Sequence, residues 1–162
     1  MKADKITTPL EFDLENDYIY PIVETYLNSV NLFKKFFEIE GFNITPQQWH
    51  AINRLYQENG ISQVELAKRT FKDYTYTTRL LDSLEKRGFI IRIQDKKDRR
   101  SNKIFLTKKG IKFRSTIIPK FLDITKQTRI GLSDKDIEDI RKICRRIVSN
   151  YKKIDKIINS RN

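Results

Sequence analysis

The chain of 162 residues carries 33 lysines and arginines against 21 aspartates and glutamates, a formal net charge of +12. That length holds one domain, or one domain with an appended arm, and can bury a core without staples. The single Cys144 excludes an intramolecular disulfide and fits a reducing compartment. No apolar run approaches the ~20 residues of a membrane span, and the first residues show no apolar secretory segment. A soluble cytoplasmic protein with no membrane contact is expected. The excess charge points to a polyanionic partner. It is also uneven: residues 1–60 hold five cations and nine anions, residues 61–112 fifteen and six, and residues 113–162 thirteen and six.

Residues 1–16 read as a flexible polar arm. Tyr18, Ile22, Tyr26, Val30, Phe33 and Phe37 then recur at helical spacing, widened by Val23 and Leu27, until Gly41. Residues 17–44 are therefore expected to form a first long helix. Thr45 and Pro46 open the next one as N-cap and first position, and Asn59-Gly60 stops it. In ISQVELAKRT, Ser62 and Glu65 have capping-box spacing, and Val64, Leu66 and Ala67 are its apolar positions. Asp73 caps YTYTTRLLDSLEKRG, with Leu80, Leu81 and Leu84 as the buried stripe and Gly88 as the stop. Two short helices joined by a turn form a helix-turn-helix. The period then changes to two: Phe89, Ile91 and Ile93 alternate, as do Ile104 and Leu106, on either side of DKKDRRSN. That pattern predicts a two-stranded hairpin with a charged tip, so residues 45–110 are expected to be a winged helix-turn-helix.

Thr107 starts a further long helix through Phe113, Ile117 and Phe121, where Pro119 predicts a kink or break. Ser133, with Asp136 three positions on, caps the last helix. Its seam is Ile137, Ile140, Cys144, Ile147, Tyr151, Ile154 and Ile158, a heptad spacing kept for three repeats. A small winged helix cannot cover so long a stripe. Residues 111–162, with the first helix, are thus expected to dimerise, an intramolecular helix pair being the alternative. The fold class is mainly α with a small β-hairpin wing, flanked by long terminal dimerisation helices.

In element order and in ISQVELAKRT, TTRLLDSLEKRGFIIR and DKKDRRSNKIFLTKKG, the chain resembles the MarR family of bacterial transcriptional regulators from about Tyr18 to Ile158. The family's wing pattern is present as Asp98, Arg100, Leu106, Thr107 and Gly110. The resemblance implies an obligate homodimer, triangular in outline, whose terminal helices (Tyr18, Ile22, Ile140, Cys144, Ile147, Tyr151, Ile154, Ile158) form the base. Two winged lobes would enter successive major grooves of double-stranded DNA. The helix beginning at Asp73 matches the recognition helix, with Tyr74, Thr75, Tyr76, Thr78 and Arg79 facing base edges and phosphates. Arg100 matches the arginine that enters the minor groove, and Asp98 the acid that braces the wing through an ion pair. Thr75-Tyr76-Thr77 departs from the usual Ser-Thr-Val, which bears on base preference rather than on fold. Effectors of the family bind between dimer base and winged lobe; by position, Tyr26, Trp49, His50 and Phe113 would line that crevice here.

The chemistry of the residues supports these roles independently. Arginine at a wing tip suits the negative potential of a narrow minor groove, and arginine on a recognition helix can bond bidentately to guanine. Lys96, Lys97, Arg99 and the Ser62 hydroxyl suit phosphates. Tyr74 and Tyr76 also suit local packing. Cys144, on an apolar seam, reads as core filler, with redox sensing as the alternative. His50 reads as an ordinary residue, with pH or ligand sensing as the alternative. One histidine and one cysteine far apart, no metal-ligand cluster and no glycine-rich phosphate loop argue against an enzyme and for no cofactor. The sequence thus predicts a sequence-specific DNA-binding regulator, with repression and release by a small-molecule effector as further expectations. The alternatives are a winged-helix protein-interaction module and a non-specific architectural DNA binder.

Overall fold

The computed structural model describes residue 13, residues 16–96 and residues 98–160; most of the expected arm, and Lys97, lie outside the described residues. Among them are six helices, α1 (Ile19–Ile39), α2 (Pro46–Gln57), α3 (Gln63–Thr70), α4 (Tyr74–Lys86), α5 (Lys108–Gln127) and α6 (Asp134–Asn159). Three strands, β1 (Ile61–Ser62), β2 (Ile90–Gln94) and β3 (Asn102–Leu106), form one antiparallel sheet in the order β1-β3-β2.

Helix starts sit where a side-chain oxygen can take an orphan amide. Thr45 Oγ1 accepts from the Gln48 amide at 3.1 Å while Gln48 Oε1 accepts from the Thr45 amide at 3.1 Å. Asp73 Oδ1 accepts from the Tyr76 amide at 2.7 Å. Ser133 and Asp136 make the full reciprocal box. At Ser62 only half the expected box forms: its hydroxyl accepts from the Glu65 amide, but the Glu65 carboxylate turns along the helix to Arg69 Nε at 2.6 Å. A charged partner one turn away is stronger than a neutral amide.

The structure revises five expectations. The wing is part of a three-stranded sheet, because Ile61 and Ser62 pair with Ile104 and Lys103; a two-residue strand is too short to show alternation. In β2 the buried residue is Ile90, while Ile91 and Ile93 are exposed. The stretch FIIRI is apolar on both parities, and the register follows Arg92, which shares the Ile90 face and finds acids there. In α3, Val64 is 50% exposed and Gln63 takes the inward place at 7%, its amide donating to Thr78 Oγ1 at 2.6 Å. In α4, Thr77 is buried with its hydroxyl donating to the Asp73 carbonyl at 2.9 Å, and Leu80 is only half-buried. Finally, α5 runs unbroken through Pro119. The carbonyl that the proline leaves without a partner belongs to the exposed Ser115, where water can take it.

Contacts divide the chain into two compact units, Met1–Ile117 and Ile118–Asn162. In the first, the fully buried side chains are Phe37, Ile52, Leu55, Leu66, Leu81, Leu84, Ile90, Ile104 and Ile117. Trp49 packs edge-on against Phe37 at 6.0 Å, and Phe113 stacks on Phe89 at 4.3 Å. In the second, α6 has no fully buried residue; Ile140, Tyr151, Ile154 and Ile158 are exposed and Cys144 and Ile147 half-buried. Within a single chain Cys144 is therefore not core. Along α1 only Phe36 and Phe37 are buried, leaving Tyr18, Ile22, Val23, Tyr26 and Leu27 exposed. No described helix is long and apolar enough to cross a membrane.

Candidate nucleic-acid interface

The start of α4 presents Tyr74 (58% exposed), Thr75, Tyr76 and Arg79 to solvent. Asp73 holds that end of the helix, and the Lys72 ammonium lies 5.3 Å from the centre of the Tyr76 ring. Thr78 is placed differently. Its hydroxyl donates to the Tyr74 carbonyl at 2.9 Å and accepts from Gln63, so it stitches α3 to α4. The half-buried Ser62 hydroxyl is likewise engaged as a cap.

The wing tip is a set of hydrogen-bonded turns. The Asp95 amide donates to the Ser101 carbonyl and the Ser101 amide to the Asp98 carbonyl, both at 2.9 Å. Gln94 Nε2 donates to the Arg99 carbonyl at 2.7 Å, and Lys103 pairs with Asp95 at 3.5 Å. Asp98 Oδ1 accepts from the Arg100 main-chain amide at 3.0 Å. Among the described residues the Asp98 brace is thus a turn made with the main chain of Arg100, where an ion pair with a guanidinium was expected. An acceptor two residues before an amide closes an Asx turn at little entropic cost. The side chains of Lys96, Arg99 and Arg100 stay exposed.

A groove of about 180 Å³ lined by Gln63, Val64, Tyr74, Asp98, Arg100, Ser101 and Asn102 joins these parts. It puts the starts of α3 and α4 and the tip of the wing on one surface. Helix N-termini carry positive dipole ends and free amides, so the surface is electropositive in its main chain as well as its side chains.

Arg92 has no place in a reading of the sequence as a row of DNA contacts, yet it joins the two halves of this surface. Its guanidinium meets Glu85 at 2.6 Å and Asp82 at 2.8 Å, and donates to the Thr78 carbonyl at 3.3 Å. The only sequence signal was a pair of acids three apart on one helix beside a strand arginine.

The MarR family model matches residues 44–101, a stretch that runs from the start of α2 to the end of the wing tip. The HTH-type transcriptional regulator SarZ of Staphylococcus haemolyticus is 31% identical over 93 residues, covering 57% of this chain and 63% of SarZ. Over this stretch the chain is similar to the MarR family. The family match, the relatives and a neighbour solved with DNA support a DNA-binding transcriptional regulator. The HTH-type transcriptional regulator YybA of Bacillus subtilis is 27% identical over 116 residues, covering 72% of this chain and 77% of YybA. A crystal structure of Staphylococcus aureus MepR with DNA superposes with a TM-score of 0.73 at 27% identity, covering 85% of this chain and 98% of MepR. MarR-family regulators are generally not enzymes.

Of the four residues expected to line an effector crevice, Tyr26 and His50 share a hollow and Trp49 and Phe113 do not. A hollow of about 300 Å³ is lined by Tyr26 and His50, with Phe33, Phe71, Lys72 and Leu80 among its other walls. Trp49 lies in the core instead, and Phe113 is taken up by its stack on Phe89. Helical spacing shows which residues share a face but not which neighbour fills it. Burial, and secondarily the charge of Arg54, lower the pKa of His50 below its ordinary value of 6.5. A folded-state pKa below the unfolded one means that neutral His50 stabilises the fold above pH ~6.5, and that this contribution is lost as pH falls through the folded value. Urea midpoints measured from pH 8 to pH 5 should therefore fall less steeply on the acid side in His50→Gln than in the parent. Parallel curves would mean that His50 titrates alike in the folded and unfolded states.

Proposed function

We propose that this chain is a cytoplasmic repressor of the MarR family that binds a pseudo-palindromic operator as a homodimer and is released by a small molecule held in the hollow beside Tyr26 and His50. The observation that carries the DNA-binding geometry is the single surface shared by Tyr74 of the recognition helix and Arg100 of the wing. Tyr74, Thr75, Tyr76 and Arg79 read the major groove, Arg100 enters the minor groove, and Lys96, Lys97 and Arg99 hold phosphates. Thr78 and Ser62 act by shaping the lobe rather than by touching bases. The exposed apolar stripes of α1 and α6 are covered by the second copy. A dyad of recognition helices requires half-sites about 10 base pairs apart. MepR with DNA, a relative of the same fold, supports the partner. A dimer seated across a promoter excludes other proteins from it, which is the basis for repression.

The test is a binding titration on a duplex selected from random DNA by the parent protein, with a scrambled duplex as control. Arg100→Ala should lower affinity for the selected duplex by about 1–3 kcal/mol per half-site, the scale of an arginine reading DNA. Asp98→Ala should cost less, because the arginine remains and only the turn beneath it loosens. With six to ten phosphate contacts, affinity should fall about 10³–10⁵-fold between 50 and 200 mM salt. A flat salt response would favour a protein-interaction module. Equal affinity for both duplexes would favour an architectural binder.

A further inference from the structure

We infer that Arg92 is a positioning residue for DNA binding: it locks the recognition helix α4 to the wing so that both engage DNA as one rigid unit. The inference rests on the DNA-binding reading above. Arg92 is a wing cation withdrawn from solvent, its side chain 17% exposed. Its fork spans two carboxylates and a main-chain carbonyl, all on α4: Glu85 Oε2 at 2.6 Å, Asp82 Oδ1 at 2.8 Å and the Thr78 oxygen at 3.3 Å. Residues 78, 82 and 85 are spaced to lie on one face of the helix. The other Glu85 oxygen accepts from the Arg92 amide at 3.0 Å, so side chain and main chain are tied together. Through Thr78 the tie extends to Gln63 on α3.

An exposed ion pair contributes little. This one differs because a planar guanidinium fills three acceptors at once, which lysine cannot do. The mechanical consequence is at the tip. Strand β2 has five residues and is thus about 17 Å long. A pivot of about 5° at its base would move the tip by roughly 1.5 Å, enough to take Arg100 out of hydrogen-bonding range of a groove already met by α4. Thr78 immediately precedes Arg79, so the same tie sets the azimuth of the exposed recognition-helix cation.

The experiment compares Arg92→Met and Arg92→Lys with the parent on the selected and scrambled duplexes, well below each protein's melting midpoint. Arg92→Met should lose about tenfold on the selected duplex, the scale of coupling within one ion-pair network, and about twofold or less on the scrambled one. Arg92→Lys should lose part of the same selectivity. Arg100→Ala should cost less in the Arg92→Met background than in the parent, since an unaimed wing has less to lose. A merely structural role would lower the melting midpoint and leave the two losses additive. Adding Asp82→Asn and Glu85→Gln to Arg92→Met removes the uncompensated acids; if affinity then returns, the effect is charge repulsion and the inference is overturned. Unchanged selectivity in Arg92→Met also overturns it, and if that variant fails to fold, unchanged selectivity in Arg92→Lys does so. A parent protein that selects no duplex from random DNA would instead remove the DNA-binding reading.

Discussion

Ile154→Asp should convert the protein from dimer to monomer at micromolar concentration, with its lobe still folded. Ile154 is 52% exposed within the chain, and α6 has no fully buried residue. An aspartate there meets water in the monomer, so the fold loses little. In the proposed dimer the same position is covered, and an unpaired carboxylate in a covered apolar seam costs about 3–5 kcal/mol. The two-fold relation places that cost in both copies. DNA affinity should fall with assembly, because joining two half-site binders raises overall affinity by about 10²–10⁴. Sedimentation gives the mass, circular dichroism reports the retained helix, and Lys153→Asp is the control on the charged side of α6. A variant that still sediments as a dimer would place the interface elsewhere.

Gly110→Ala should have the largest effect on the fold itself. A Cβ built there would sit 2.1 Å from the Phe89 carbonyl oxygen and 3.0 Å from its carbon. Main-chain atoms cannot swing aside as a flexible side chain does. The start of α5 would have to move, and with it the Thr107 hydroxyl, which donates to the Gly88 carbonyl at 2.7 Å and accepts from the Gly110 amide at 3.0 Å. The loss should reach about 3 kcal/mol, the upper end for overpacking, or roughly 6–12 °C in melting midpoint for a chain of this size. Gly131→Ala is the contrast: nothing lies within 4 Å, but its φ is +83°, so only a backbone cost of about 1–2 kcal/mol applies. Melting at equal protein concentration, since assembly shifts the midpoint, should separate the two. Equal midpoints for both variants would mean that α5 can shift freely at the wing.

The glycine in Leu106-Thr107-x-x-Gly110 therefore has a steric reason that a pattern in the sequence does not reveal. The pattern marks the position; the Phe89 carbonyl supplies the cause. The same division holds at the wing tip. The aspartate at 98 was legible as a brace, but the partner it takes, the Arg100 amide rather than a guanidinium, depends on a turn closed over two residues.

What the sequence by itself determined was local. Caps at Thr45, Ser62, Asp73 and Ser133, the change from helical to alternating period at Phe89, and the charged tip between two apolar runs all depend on neighbours within a few residues. They were enough to place the helix-turn-helix, the wing and the long terminal helices. Only the tertiary structure decided which of two apolar faces points inward and which acid meets which base. Ile90 rather than Ile91 is buried because Arg92 must reach α4, and Gln63 rather than Val64 turns inward because Thr78 offers it a partner. Ile61 and Ser62 become a strand because β3 presents a free edge, and Trp49 leaves the hollow because Phe37 takes its edge. Each of these choices is set by a residue between 2 and about 43 positions away in the chain. Periodicity is blind to such partners, because it records only which side chains share a face and not what that face meets.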